Sequence, residues 1–283
     1  HVLMFNSKSL LITGGTGFFG KSFIQYCLKK KINFKKIIIF SRDEYKQYEM
    51  QKIFSPKKYK FLRYFLGDIR DQERVKTAFN NVDFVIHAAA LKHVPAAEYN
   101  PIEFVKTNIF GSQNIIEASI FNNVKKVVAL STDKAASPLN LYGATKLCLE
   151  KLFISANNVI GDKDIKFSCV RYGNVLGSRG SVLPLFLEQN KKQQFFTVTD
   201  KNMTRFNIMI NEAIEMVLFS LKNKDGGDII IPKIPSIKIT DLAKAINPQK
   251  KIKYIGIRPG EKLHEELLTA QESVNTYNRG KYL

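Results

Sequence analysis

The 283-residue chain has no tryptophan, three cysteines and four histidines, and these shortages exclude several kinds of protein. Cys27, Cys148 and Cys169 form neither a C-x-x-C pair nor a metal-spaced cluster, and an odd number cannot complete a disulfide framework. Each is expected to be a small packed residue in a reducing compartment. No apolar run approaches the roughly 18 residues of a spanning helix, and no secretory signal precedes the first predicted strand, so a cytoplasmic chain with no membrane attachment is expected. His1 to Leu3 precede Met4, the expected native start, and carry no functional argument. Acidic residues are also scarce: 25 Asp and Glu stand against 44 Lys and Arg, a formal charge of +19. That balance suits nucleic acid, an anionic membrane surface or a small anionic ligand. Only nine of the basic residues are arginine, and the lysines fall in short scattered runs (29–31, 191–192, 250–251) without aromatic interleaving. They read as a solvated surface, and no nucleic-acid partner is expected.

What is present is a globular chain, 45% hydrophobic and long enough to bury a sizeable core. Ser9 to Thr13 is a short apolar run entering a glycine turn, and Lys21 to Lys30 carries a helical apolar face, a βα start. Apolar runs recur at Ile37 to Phe40, Phe61 to Leu66, Phe84 to His87, Val127 to Leu130 and Phe167 to Val170, with helix-length patterns between most of them. This alternation predicts an α/β fold with a Rossmann-like, doubly wound parallel sheet. Asn108 to Phe121 and Gly143 to Asn157 read as long helices. After about Arg171 the pattern loosens, with Gly173, Gly177, Gly180 and Pro184 marking turns. The expected division is a dinucleotide-binding domain over 4–170 and a smaller, discontinuous substrate lobe over 171–283. A helix at Asn211 to Leu221 and a strand at Asp228 to Ile231 return to the main sheet.

Thr13-Gly14-Gly15-Thr16-Gly17-Phe18-Phe19-Gly20 sets G-x-x-G-x-x-G between a predicted strand and a predicted helix. In that context Gly14 makes the tight turn, Gly17 lets backbone approach a pyrophosphate, and Gly20 permits close helix packing. The second strand ends Ser41-Arg42-Asp43. An acid there reads a ribose 2′-hydroxyl and an arginine pairs with a 2′-phosphate, so Arg42 favours NADP over NAD while Asp43 keeps the choice open. Asp68, after Gly67, is placed to contact adenine or to cap its loop. Ala88, Ala89 and Ala90 leave room for a flat cofactor, although close strand–helix packing also demands small residues there.

Tyr142 and Lys146 are one helical turn apart, so an ammonium can lie beside the phenol and favour phenolate, a base that starts hydride transfer. Asp133 and Lys134, just upstream, offer a second acid/base couple. Lys134 also has the plainer reading of a surface ion pair with Asp133. Thr132 either bonds a substrate hydroxyl or caps the turn.

The glycine loop and Tyr142-x-x-x-Lys146 resemble the extended short-chain dehydrogenase/reductase family. Further stretches narrow this: 40–44, 67–71, 88–101 (AAALKHVPAAEYNP), 131–146, Arg171 to Val182, 203–206 and Arg258-Pro259-Gly260-Glu261-Lys262 are similar to UDP-N-acetylglucosamine 4,6-dehydratases that invert C5. Related dehydratases commonly carry Asp-Glu where this chain has Asp133-Lys134, and Phe18 stands where the inverting group often has serine. The resemblance implies that Tyr142, helped by Lys146, deprotonates the C4 hydroxyl as C4 hydride passes to NADP. Lys134 then removes H5, Asp133 protonates the departing C6 hydroxyl, hydride returns to C6, and C5 is reprotonated from the opposite face. It leaves open how Asp133, Lys134 and Tyr142 divide these transfers. Implied cofactor contacts are Thr13, Gly14, Thr16, Gly17, Phe18, Phe19, Gly20, Ser41, Arg42, Asp43, Lys46, Asp68, Ile69 and Ala88 to Ala90, besides Tyr142 and Lys146. Implied contacts to UDP-N-acetylglucosamine are Lys92, Asn174, Val182, Arg205, Arg258 and Glu261. Asn108 orients Lys146 through water, as in similar proteins, or caps its own helix. His93 and His264 are expected to be structural or exposed, no metal is required, and a homo-oligomer is expected. Alternatives are a retaining dehydratase or a 4-epimerase on the same scaffold, and, in a different class, a non-catalytic NADP-sensing protein.

Overall fold

The computed structural model describes residues 3–178 and 180–283. Arg179, within the Arg171 to Val182 stretch, and His1 and Val2 lie outside the described residues. The strands are β1 (Ser9–Thr13), β2 (Lys36–Ser41), β3 (Leu62–Leu66), β4 (Phe84–His87), β5 (Lys126–Thr132), β6 (Lys166–Tyr172), β7 (Asn174–Val175), β8 (Phe195–Val198), β9 (Thr204–Ile208), β10 (Ile229–Ile230), β11 (Ser236–Lys238) and β12 (Lys251–Tyr254). The helices are α1 (Phe18–Lys30), α2 (Glu44–Ile53), α3 (Gln72–Ala78), α4 (Val94–Tyr99), α5 (Pro101–Phe104), α6 (Gly111–Phe121), α7 (Leu141–Ala156), α8 (Val182–Lys192), α9 (Ile210–Lys222), α10 (Ile239–Ile246) and α11 (Ala270–Ser273).

Among the described residues, seven strands form one sheet in the order β3-β2-β1-β4-β5-β6-β10, every neighbouring pair parallel. The near-continuous apolar runs are explained by cover on both faces. Leu10, Ile12, Ile37 and Ile39 pack with α1, α2 and α9, whereas Leu11, Ile38, Phe40 and Val85 pack with α3, α6 and α7. The strand order reverses between β1 and β4, which opens a crevice at the carboxyl ends of these strands, where α/β sheets bind ligands.

Helix α9 packs on the sheet and β10 pairs with β6. A second set of elements has its own small core of Phe186, Phe196, Val198, Met203, Ile239 and Ala243. It contains a three-stranded sheet, β11-β9-β7, and a parallel pair, β12-β8. The expected helix over Asn108 to Phe121 is not a single α-helix. Val105–Phe110 is a π-helical turn and α6 starts at Gly111. The Ser112 hydroxyl donates to the Asn108 carbonyl at 2.6 Å, within the stretch where the hydrogen-bond ladder changes register.

Candidate active site

The glycine loop closes the crevice at the end of β1. Gly14 has φ +63°, and a Cβ there would lie 2.8 Å from the Ala89 Cα, so both its conformation and its contact exclude a side chain. A Cβ on Gly20 would lie 2.0 Å from the Gly15 carbonyl oxygen, which is how α1 comes to start against the loop. Gly15 has a reason of its own that sequence reading missed: a Cβ there would meet Ile12 O and the Ile39 side chain, each at 2.9 Å. Gly17 is the N-cap of α1 and gives no side-chain bond to the first-turn amides, so these are left for an anion. The cradle therefore fits a dinucleotide pyrophosphate. Of the two phenylalanines, Phe18 is exposed, whereas the Phe19 ring stacks on Phe23 and joins the core, so Phe19 faces the crevice only through its backbone. Thr16 is buried.

Thr13 organises the neighbouring strand end. Its hydroxyl accepts from the amides of Ala88 and Ala89 at 3.1 and 3.2 Å and bonds His87 Nδ1 at 2.8 Å. His87 Nε2 bonds the Ser112 hydroxyl at 3.0 Å. Because that hydroxyl donates to Asn108 O, the consistent tautomer carries its proton on Nε2 and accepts from Thr13 on Nδ1. Burial pushes the His87 pKa down to about 3, with Lys146 adding to the effect, so the ring is neutral.

At the adenosine end, Asp43 caps α2: its Oδ1 accepts from Lys46 N at 2.9 Å and its Oδ2 pairs with Lys46 Nζ at 3.2 Å. The Asp43–Lys46 pair is thereby engaged with itself. Arg42 Nη1 lies 3.7 Å from Asp68 Oδ2, and Arg70 Nη2 lies 2.9 Å from the same oxygen. Burial acts to raise the Asp68 pKa, but Arg70, by hydrogen bonds and charge, and then Arg42 lower it overall. Ser41 is buried and accepts from Gln47 Nε2 through both its hydroxyl and its carbonyl, each at 3.1 Å. The Ile69 side chain is a core residue, packed where Gly111 leaves room, and does not reach the crevice surface. Arg42, Arg70, Lys92, His93 and Glu103 line a cleft of about 340 Å³ at these strand ends. A larger cavity, about 440 Å³, lies away from it between α1, α9 and the chain end, and no expected site residue lines it.

The residues expected to carry acid/base chemistry converge at the end of β5. Thr132 closes the strand, Asp133–Ala135 makes a 3₁₀ turn, and α7 begins directly over that turn. Gly143 allows this, because a Cβ there would sit 2.1 Å from the Lys134 carbonyl oxygen. Asn140 caps α7, its Oδ1 accepting from Gly143 N at 2.8 Å. Asp133 is fully buried; its Oδ1 accepts from Thr132 Oγ1 at 3.0 Å and from Lys134 Nζ at 3.2 Å. Its Oδ2 has no hydrogen-bond partner among the described residues. Lys134 Nζ also donates to Asn174 Oδ1 at 3.4 Å, which brings β7 to the site. Thr132 both caps the turn, accepting from Lys134 N at 3.3 Å, and hydrogen-bonds Tyr142.

Burial first, and then the Asp133 carboxylate, push the Tyr142 phenol above the ordinary tyrosine range, with the Thr132 hydrogen bond acting against them. Lys146 departs from expectation. Its ammonium donates to the Leu130 carbonyl at 2.6 Å, and the charge bearing on the phenol is Asp133's. A buried ammonium requires an acceptor, and the β5 edge offers one. Burial lowers the Lys146 pKa to about 8, against the pull of Cys169 and Glu150. The Asn108 side chain does not cap its own helix. Its amide clamps the Leu91 backbone through both N–H and C=O, at 2.9 and 2.8 Å, and donates to Thr145 Oγ1 at 3.0 Å.

The C-terminal segment folds over this cluster. Gly260 O accepts from Asn140 Nδ2 at 2.8 Å, so the cap of α7 also fastens the turn that bears Arg258 and Glu261. Arg258 is exposed, and its backbone N–H donates to Glu261 Oε2 at 3.3 Å. Arg205 is buried, and its guanidinium donates to the carbonyls of Thr204, Leu263 and Lys262 at 2.7, 3.2 and 2.9 Å. It anchors the segment, a different use from the expected phosphate contact. Val182 starts α8 and packs on the small core. His264 is exposed and bonds Thr204 Oγ1 at 2.7 Å. Sequence reading missed Asn140, Gly143, Glu265 and Arg171; Glu265 lies only three residues beyond the Arg258-to-Lys262 motif.

A family model described as "Polysaccharide biosynthesis protein" matches residues 10–283. A Campylobacter jejuni protein named UDP-N-acetylglucosamine 4,6-dehydratase (inverting) is 54% identical over 99% of this chain and 83% of its own length. A Rickettsia bellii protein named UDP-glucose 4-epimerase is 43% identical over 99% of this chain and 83% of its own. Among solved structures, Pen from Bacillus thuringiensis superposes with a TM-score of 0.92 at 45% identity, covering 98% of this chain and 89% of that one. No helix among the described residues is long and apolar enough to cross a membrane.

Proposed function

The chain belongs to the polysaccharide biosynthesis protein family within the extended short-chain dehydrogenases/reductases, and from that premise we propose that it is a UDP-N-acetylglucosamine 4,6-dehydratase that inverts C5. The product is UDP-2-acetamido-2,6-dideoxy-β-L-arabino-hex-4-ulose. The observation that carries the reading is the meeting of Asp133, Lys134, Thr132 and Tyr142 at one strand end, where Asp133 keeps one buried oxygen free of hydrogen bonds.

The Gly14-to-Gly20 cradle and the first turn of α1 would hold the pyrophosphate of a nicotinamide dinucleotide, and Ala88 to Ala90 would flank it. Bound there, a nicotinamide would supply the acceptor for the C4 hydride and the donor of the hydride that C6 receives. Asp43 is committed to capping α2, so Arg42 is the group left to read the ribose, which supports NADP over NAD. Tyr142 takes the C4 hydroxyl proton; the resulting 4-ketone acidifies H5. Lys134 removes H5, and Asp133 protonates the C6 hydroxyl, which leaves as water. A proton delivered to C5 from the face opposite the one it left completes inversion. The Lys146 ammonium is held on the Leu130 carbonyl at the same strand end, and its lowered pKa makes its charge sensitive to pH. Asn174, Lys92, Arg258 and Glu261 are proposed sugar-nucleotide contacts, with 4–170 carrying the cofactor and 171–283 mainly the substrate. The unpaired cysteines support a cytoplasmic site of action, and a homo-oligomer remains part of the proposal.

The second reading, a 4-epimerase, draws on the relative of that name. An epimerase needs the Tyr142 step alone, whereas the Asp133–Lys134 pair supplies the proton transfers of C5 and C6. Incubation with UDP-N-acetylglucosamine in deuterated water, followed by NMR, separates the two. A 4-keto-6-deoxy product with deuterium at an inverted C5 is expected; a C4 epimer, retained C5 or unchanged substrate sinks the proposal. Lys134→Ala is expected to abolish dehydration while leaving dinucleotide binding intact.

A further inference from the structure

One carboxylate beside Lys134 has no part in the chemistry above. Glu265 is 8% exposed, with Oε1 3.9 Å from Lys134 Nζ and Oε2 3.6 Å from Lys262 Nζ. Its Oε2, like Asp133 Oδ2, is buried without a hydrogen-bond partner among the described residues. Two buried carboxylates from distant parts of the chain therefore share one ammonium. The groups that face Lys134 are Asp133 from its own turn, Asn174 from β7 and Glu265 from the C-terminal segment. Lys262 faces Glu265, and Tyr142 faces Asp133.

Burying a second, incompletely satisfied carboxylate costs stability that an apolar side chain of similar size would not. Its placement is also closely held. Lys262 Nζ donates to Ala136 O at 2.8 Å, which ties the segment to the Asp133–Ala135 turn. Arg205 holds the carbonyls just before Glu265, and Arg171 Nη1 holds Leu267 O just after it at 3.0 Å. A carboxylate on a strap fixed from both sides is a preorganised partner.

We propose that Glu265 is a positioning residue for Lys134: it holds the ammonium in place between C-terminal segment and strand end. The catalytic consequence rests on the reading of Lys134 as the base at C5.

Acetylation with acetic anhydride at one fixed pH, read at the Lys134 peptide by mass spectrometry, tests the contact without turnover. Glu265→Gln is expected to change the Lys134 labelling rate at least about threefold, because the ammonium is no longer held against the strand end, and Lys262→Met, which frees the Glu265 carboxylate, to change it as well; Glu265→Asp is expected to lie close to wild type. In turnover, Glu265→Gln is expected to lower kcat about tenfold with KM within about threefold, through loss of placement of the base. A Glu265→Gln labelling rate equal to wild type overturns the proposal. Should that variant not fold, an unchanged rate for Lys262→Met overturns it. Changed labelling with no 4-keto product from wild type supports the contact and sinks the dehydratase reading; product with unchanged labelling does the reverse.

Discussion

The guanidinium of Arg171, fully buried on β6, bonds both oxygens of Glu150 on α7, with Nε to Oε1 at 2.9 Å and Nη2 to Oε2 at 2.6 Å. The same guanidinium reaches Glu272 through Nη1 and Nη2 at 2.9 and 2.8 Å. One side chain thus joins the Tyr142 helix to the segment that covers the site. Arg171→Leu would leave Glu150, 1% exposed, without its cation, so a loss of about 3–5 kcal/mol is expected in denaturant unfolding. A loss below about 1 kcal/mol would show that the network is not a stabilising element.

Glu272 makes this network sensitive to acid. The Arg171 hydrogen bond first, then the Thr269 cap and the Arg171 charge, lower its pKa from 4.5 to about 2, against the effect of burial. The folded state therefore binds this proton more weakly than the unfolded chain. The stabilisation is present above about 4.5 and is lost as pH falls through about 2. Glu272→Gln is expected to flatten that part of the stability–pH curve, and a curve parallel to wild type would refute the assignment.

The glycine loop separates folding from cofactor binding. Gly14→Ala and Gly20→Ala force a positive-φ strain and a 2.0 Å clash respectively, so both are expected to lower Tm without any ligand. Gly17→Ala meets only Gly14 O at 3.1 Å. Its ligand-free Tm is expected to stay within about 2 °C of wild type while dinucleotide affinity falls at least about tenfold, as calorimetric titration would measure.

Arg42 is 54% exposed and Asp43 is engaged with Lys46. Arg42→Ala is accordingly expected to weaken NADP by about 10–100-fold and NAD by less than about threefold. Equal losses for both would mean that Arg42 does not read the 2′-phosphate.

Asn140→Ala removes the α7 cap and the Gly260 tether together. A stability loss of about 1–2 kcal/mol is expected from the cap, with a raised KM for the sugar nucleotide and unchanged dinucleotide affinity. An unchanged KM would mean that the turn bearing Arg258 and Glu261 does not depend on this tether.

Local patterns carried much of the fold. The run Ser9 to Thr13 is buried throughout as β1, and Phe84 to His87 is β4 with the boundaries that its apolar residues mark. Asn108 to Phe121 misled, because the helical periodicity carries no sign of the Ser112 hydroxyl bonding the Asn108 carbonyl. Lys146 misled for a related reason: a spacing of four residues specifies a shared helix face but says nothing of the Leu130 carbonyl across from it. Glu265 was invisible beside the more legible Arg258-to-Lys262 motif, since its partner Lys134 stands 131 residues earlier.

By itself, the sequence determined the parallel sheet, the tight glycine loop at the end of β1 and which titratable side chains stand near one another in the chain, since periodicity, glycine spacing and side-chain chemistry act over a few residues. Only the tertiary structure decided which of those charges face one another. Asp133 bears on Tyr142, Lys146 turns to a strand carbonyl, Arg205 becomes an anchor, and Glu265 comes to rest beside Lys134. Each outcome depends on burial and on contacts between segments far apart in the chain, which set the cost of an unpaired charge and supply the partner that removes it.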